Sequence, residues 1–262
     1  MDTLIHDIGF WITELHFTFG ETVCTPLGGL LPTAIDRYCP RFIDGALTTF
    51  ELVALALVLA FGLARLLVAR YWLSGPWVRR AIDGYRWVFQ GTPLLIQLWI
   101  LYFGLAQFDV LRASMAWIIL SSGWWVGLFT LVLNSAAYQT AILVGALANL
   151  PDGQREGALA LGLSPRQAYR RILFPQAVRA AWPSLANEGI LLLKASALVS
   201  TITVLDLMGH ARTVFSRSYD LSVYGYAAFL YIGLTALMTL LAFAIRKYAF
   251  RQLPGDPWFE RR

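Results

Sequence analysis

Glu156 to Pro175 read EGALALGLSPRQAYRRILFP, a polar helix-turn-helix set between segments apolar enough to lie in a membrane. Glu156 to Leu161 suit a short helix, Gly162 supplies the left-handed position that commonly ends one, and Ser164 followed by Pro165 makes an N-cap and N1 pair for a second. Gln167, three residues after Ser164, completes a capping-box pattern. The second helix carries Arg166, Arg170 and Arg171 and is expected to stop near Pro175, whose ring disfavours helical backbone at Phe174. The result is a short, rigid, basic protrusion for something outside the bilayer to grip.

Composition gives the class independently. With 58% hydrophobic and 14% charged residues in 262 positions, the chain has too much apolar surface for one soluble core and reads as an all-α polytopic membrane protein. A bilayer core of about 30 Å needs about 20 residues of helix, and five segments meet that length, near 46–66, 91–109, 124–147, 186–206 and 223–245. Lys and Arg count 2, 5, 1, 5, 2 and 5 through the successive tails and loops, with Arg65 at the edge of the first span counted in the first loop. Positive residues concentrate on the cytoplasmic side, which puts the N-terminus outside, the C-terminus inside and the Glu156 to Pro175 loop in the cytoplasm. The net charge of +5 follows from this bias and from attraction to anionic membrane lipid, and gives no case for nucleic acid.

The insert resembles the EAA loop of ABC-importer permeases through Glu156, Ala158, Gly162, Ile172 and Pro175, with Gly157 where the first Ala is usual. In that family the loop forms the coupling helix that docks into a groove of a cytoplasmic ATPase. Tyr85 to Gly104, YRWVFQGTPLLIQLWILYFG, is similar to the segment that opens the permease core in importers of polar amino acids, matching at Gly91, Thr92, Pro93, Leu94, Leu95, Gln97, Tyr102 and Gly104. Gln90 stands where Arg is usual. On local physics, Gly91 and Pro93 either bend the entrance of the second span, leaving backbone groups for Thr92 or Gln97 to satisfy, or simply start a helix with Pro in its first turn. The exit of the third span agrees with the same family at Ala137, Tyr138, Ile142, Gly145, Ala146, Pro151, Gly153 and Gln154, but Ala141 and Val144 replace its Glu and Arg.

The resemblance covers roughly residues 45–250 and implies a five-transmembrane-helix type I ABC importer permease. Its division is an external interfacial segment at 1–44, a permease core at 45–250 with a cytoplasmic coupling loop at 150–183, and a cytoplasmic tail at 251–262. It implies a bacterial cytoplasmic (inner) membrane, a second homologous permease subunit, two ATP-binding subunits and an extracytoplasmic solute-binding protein. With Ala141 in place of the acid, a pseudo-symmetric heterodimer is expected, the partner supplying the carboxylate that a homodimer lacks. Coupling falls to Glu156, Ala158, Gly162, Ser164, Arg166, Arg170 and Arg171; the substrate path to Thr92, Gln97, Tyr138, Gln139, Lys194, Ser196 and Ser200. Ser196 and Ser200, four apart, share a helical face suited to packing or to the path. Lys194, near the middle of the polar fourth span, either lines the path or pairs structurally, and Glu188 is read as structural. Polar amino acids, basic or opine-like, are the expected cargo. A methionine-type permease is the nearest alternative, and a secondary transporter or channel the alternative from another class.

The only lysines are Lys194 and Lys247, and no Gly-rich run ends in Gly-Lys-Ser/Thr, so the chain lacks a Walker A loop and is not its own ATPase. No cofactor is expected in this chain; ATP and Mg²⁺ belong to a partner subunit. His6, His16 and His210 are scattered without metal-ligand spacing, so no metal is expected, and no nucleophile motif points to an enzyme. Near the N-terminus, Ile5, Ile8, Trp11, Ile12 and Leu15 recur at near-helical spacing, which suits a helix lying in the outer interface or a partly buried sixth span. Cys24 and Cys39 flank a stretch broken by Pro26, Gly28, Gly29 and Pro32, and in an oxidising compartment form a disulfide or stay as two thiols.

Overall fold

The computed structural model describes residues 14–27 and 37–249, which contain helices and no strands. The longest helix, α1 (Cys39–Leu73), runs 35 residues, or about 50 Å. Helix α2 (Pro76–Gly91) is amphipathic, and α3 (Leu94–Trp99) continues through a π turn at Ile100–Gly104 to a 3₁₀ turn at Leu105–Gln107. Two short helices, Asp109–Arg112 and Trp117–Leu120, lead to α4 (Gly123–Ala148). Then follow α5 (Asp152–Ala160), α6 (Pro165–Ala168), α7 (Phe174–Ala195), α8 (Leu207–Ser218) and α9 (Ser222–Ala249).

Four stretches are long and apolar enough to cross a membrane: Cys39–Leu73, Gly123–Ala148, Pro165–Ile202 and Ser222–Ala249. A bent pair, Pro76–Gly91 with Leu94–Gln107, is long and apolar enough only when taken together across its 102° bend, and as one broken span it makes a fifth crossing. Pro93 causes the break by ending the backbone ladder, as the bent-entrance reading expected, but the helix before it was not expected. Its Arg79, Arg80, Asp83 and Arg86 keep one face polar.

The fourth span corrects two expectations. It starts at Pro165 instead of near 186, and the helix does not stop at Pro175. A π turn at Tyr169–Leu173 shifts the hydrogen-bond register just before Pro175, which then occupies the first turn of α7, where a missing N–H costs little. The second helix of the insert is therefore the near end of a membrane helix.

Three apolar clusters fix the ends of the bundle. Ala56, Ala60 and Ala64 recur every four residues on α1 and are fully buried; small side chains at this spacing let helix backbones approach closely, here against α4. The first turns of α1 pack at Phe42 against Leu207, Ala211 and Val214 of α8, whereas its last turns pack at Ala64 and Val68 against Tyr169 and Leu173. The insert and α8 thus lie at opposite ends of α1. Leu52, Val53, Leu98, Leu131, Leu193 and Val199 fill the space between. Gly45 admits α8 closely, since a Cβ there would sit 2.8 Å from the Leu207 Cα. By contrast α9 buries only Val223 and Ala227, leaving Phe229, Ile232, Leu240 and Phe243 as an apolar face for lipid or a partner.

A disulfide joins Cys24 to Cys39 and ties the helical residues 14–24 to the start of α1. His16 reaches Asp44 on α1 at 3.5 Å, and His210 of α8 meets the same carboxylate at 3.1 Å. Ile5, His6, Ile8, Trp11, Ile12, Gly28, Gly29, Pro32 and the 251–262 tail lie outside the described residues.

Candidate functional site

At the insert end, α5 begins at Asp152, four residues before the expected start, and closes at Gly162 with φ +75°. Gly162 N–H donates to Leu159 O at 2.9 Å and Leu163 N–H to Ala158 O at 3.2 Å, the paired bonds of a Schellman stop. Ser164 then opens α6 with both halves of the capping box: Gln167 N–H donates to Ser164 Oγ at 3.3 Å, and Ser164 N–H donates to Gln167 Oε1 at 2.9 Å. Ala158, Ala168, Tyr169 and Leu173 are buried against the bundle. Across the turn, Gln176 Nε2 donates to Gln154 Oε1 at 3.1 Å.

The outward face is mixed. Arg166, Gln167, Arg170 and Arg171 line an open cleft of about 490 Å³, and Glu156 is exposed beside Leu159 and Leu161. Leu161 is 79% exposed, an apolar side chain held out at the apex of the turn. Sequence reading stressed the arginines and missed this leucine, because a Leu just before a Gly stop has no pattern that separates a partner contact from a helix end.

The residues assigned to the substrate path separate into two groups. Thr92 and Gln97 repair the break between α2 and α3. Gln97 Nε2 lies 2.9 Å from Phe89 O, 3.0 Å from Thr92 O and 2.8 Å from Thr92 Oγ1, while Thr92 Oγ1 donates to Val88 O at 2.7 Å. Asn134 of α4 locks the arrangement, donating to Gln97 Oε1 at 3.1 Å and to Phe89 O at 3.2 Å. Gln139 is buried between helices and donates to Ser135 Oγ at 3.1 Å; Ser135 in turn donates to the Glu188 carboxylate at 3.0 Å. Ser196 is fully buried and donates to Leu193 O. The chain changes from α to 3₁₀ winding at Ser196, so Ser196 and Ser200 do not share the face expected of an α-helix.

Tyr138 and Lys194 belong to the other group. Tyr138 lines an open cavity of about 400 Å³ with Ile142, Ser184, Asn187, Glu188 and Leu191. Asn187, Leu191 and Lys194 follow at helical spacing, so Lys194 continues that stripe, exposed. No carboxylate lies within ion-pair distance of it among the described residues. A bare ammonium at membrane depth requires a water-filled cavity or a partner. Among the described residues no group of three His, Cys, Asp or Glu side chains is placed to hold a metal.

A long bundle with a broken crossing and a rigid polar elbow on one end describes a transport permease. Residues 66–253 match the family of binding-protein-dependent transport system inner membrane components, and the chain belongs to it. It is a transporter subunit of the inner membrane, whose family works with a binding protein and with separate subunits that hydrolyse ATP. The arginine ABC transporter permease protein ArtM of Haemophilus influenzae is 39% identical over 81% of this chain and 93% of its own length. The octopine transport system permease protein OccM of Rhizobium radiobacter is 39% identical over 80% of this chain and 81% of its own. A crystal structure of an amino acid ABC transporter with histidines superposes with a TM-score of 0.70 at 31% identity, covering 80% of this chain and 95% of that one. The MetNI methionine transporter shares the fold at 18% identity, with a TM-score of 0.68 over 80% of this chain and 97% of that one.

Proposed function

We propose that this chain is the permease of an ATP-driven importer for basic or opine-like amino acids, in which the insert is the point where ATPase closure is transmitted to the membrane. The observation that carries the reading is the continuity of Pro165–Ile202, which makes the docking elbow and the fourth span one lever. Glu156, Ala158, Gly162, Ser164, Arg166, Arg170 and Arg171 shape or face the docking surface, with Leu161 as its apolar centre. The bias of Lys and Arg along the sequence supports placing this end in the cytoplasm, with the N-terminus outside and the C-terminus inside. Two ATP-binding subunits that hold ATP and Mg²⁺, a second homologous permease and an external solute-binding protein complete the complex.

ATPase closure brings the two elbows together and opens the path outward; the binding protein then delivers substrate to the cavity at Tyr138 and Asn187, with Lys194 one helical turn beyond its Leu191 wall. The ATPases drive this switch only because they bind the two permease states unequally. Arginine and octopine, which name the relatives, both carry a guanidinium. Ala141 offers no charge to meet it, which supports a heterodimer in which the other permease presents a carboxylate across the interface.

Gentle detergent purification of the tagged chain from its native membrane, followed by mass spectrometry of what stays bound, tests the assembly. Recovery of a second permease and a Walker A ATPase is expected, with an acid in the permease opposite Ala141. Recovery of the chain as a homo-oligomer without an ATPase contradicts the reading.

A further inference from the structure

We infer that the outer end of this permease carries an arginine cleft that receives carboxylates from the solute-binding protein, an inference that rests on the transport reading above. The cleft, about 310 Å³, is lined by Phe17 of the 14–24 helix, Arg37, Tyr38, Pro40 and Arg41 at the head of α1, and Arg217 in the last turn of α8. It lies at the opposite end of α1 from the coupling elbow, so an elbow in the cytoplasm puts the cleft outside, where a binding protein arrives.

Three arginines line the cleft, and none has a carboxylate within ion-pair distance among the described residues. Arg41 stacks on Tyr38 with its guanidinium carbon 5.6 Å from the ring centroid, which holds the fork in place. Its position is electrostatically costly by itself, since it occupies the first turn of α1, where the helix dipole already places positive charge. The carboxylates at this end do not relieve it: Asp44 is taken by His16 and His210, Asp206 caps α8 at Gly209 N–H, and Glu14, Glu21 and Asp220 come within ion-pair distance of none of the three arginines. Outer loops are also where the charge bias of this chain leaves few basic residues, so a cluster of three is not a by-product of topology.

Planar guanidinium forks pair with carboxylates in two-point geometry, and unpaired arginines beside aromatic rings are typical anchors of polar interfaces. The Cys24–Cys39 disulfide and the His16–Asp44 contact pin the Phe17 wall to the head of α1. The surface is therefore set before the partner arrives, and binding costs little ordering entropy.

The test uses the intact complex in nanodiscs of phosphatidylcholine, and again with phosphatidylglycerol added, titrated with the binding protein of the same transporter while ATP hydrolysis is followed. In the combined variant Arg37→Gln, Arg41→Gln, Arg217→Gln, the half-stimulating concentration should rise about tenfold at low salt in both lipids, with the difference shrinking as salt is added. Hydrolysis without binding protein should be unchanged. Arg217→Gln alone should show a smaller rise. Arg212→Gln, exposed on the same helix but outside the cleft, should show none. An unchanged half-stimulating concentration overturns the proposal. So does a change seen only with phosphatidylglycerol, which assigns the cleft to lipid phosphate. A wild-type complex that hydrolyses ATP with no response to the binding protein contradicts the transport reading, and the docking site falls with it.

Discussion

Gln154 and Gln176 meet side chain to side chain, Nε2 of Gln176 donating to Oε1 of Gln154 at 3.1 Å, and so join the first helix of the elbow to the base of the fourth membrane helix. The two residues are 22 apart in sequence, on either side of the Gly162 turn. A push on α5 therefore reaches α7 both through the turn and across this bond.

Removing the cross-strut should loosen transmission without unfolding the bundle. Gln176→Ala removes one exposed hydrogen bond, worth about 1 kcal/mol at most. Thermal stability should barely change, while substrate transported per ATP in proteoliposomes should fall. An unchanged ratio would leave the turn as the only link.

Gly162 has nothing within 4 Å of a would-be Cβ, so substitution there is resisted by backbone conformation alone. At φ +75° an L side chain costs about 1–2 kcal/mol, more when β-branched, and Asn tolerates the region best. Gly162→Val should therefore keep ATP hydrolysis while losing coupled transport, and Gly162→Asn should retain most of it. Full transport in the valine variant would count against the elbow.

Lys194 offers a test of the path. With no ion pair among the described residues, Lys194→Met should shift stability by no more than about 0.5 kcal/mol. Transport affinity or rate should change clearly. Unchanged transport, or a large loss of thermal stability, would make the residue structural.

Asp206 gives the outer end a pH dependence. Burial pushes its carboxyl up to about 7, opposed by the Gly209 N–H that its Oδ1 accepts and by nearby His210, while Oδ2 finds no hydrogen-bond partner among the described residues. The native state therefore holds a proton that the unfolded chain has released above about pH 4. Stability falls as pH rises from about 4 to about 7, by on the order of 4 kcal/mol at most, and is level above that. Asp206→Asn, which keeps the capping oxygen, should flatten the slope of melting temperature against pH between 5 and 7. An equal slope in the variant would place the titration elsewhere.

The elbow was legible because its determinants are local. Gly162, Ser164 and Gln167 act on backbone groups within a few residues, and each does in the fold what its spacing implied. Pro175 was misread for the complementary reason: its effect depends on a π turn that buries Tyr169 and Leu173 against α1, a tertiary outcome with no local signature. Gln97 and Thr92 stand in the sequence both as path residues and as partners for the broken backbone, and their hydrogen bonds follow the second reading; Asn134, which locks Gln97 from α4, carries no such local signal. The link from His16 to Asp44 spans segments that no periodicity connects.

If the Glu156 to Pro175 elbow seats in the ATPase, Leu161, its most exposed apolar residue, meets that subunit. A photo-crosslinking amino acid at position 161, activated in intact membranes with and without ATP, tests this directly. The account expects one major adduct with the nucleotide-binding subunit, retained through the cycle. Adducts to lipid or to the binding protein, with none to an ATPase, would contradict it.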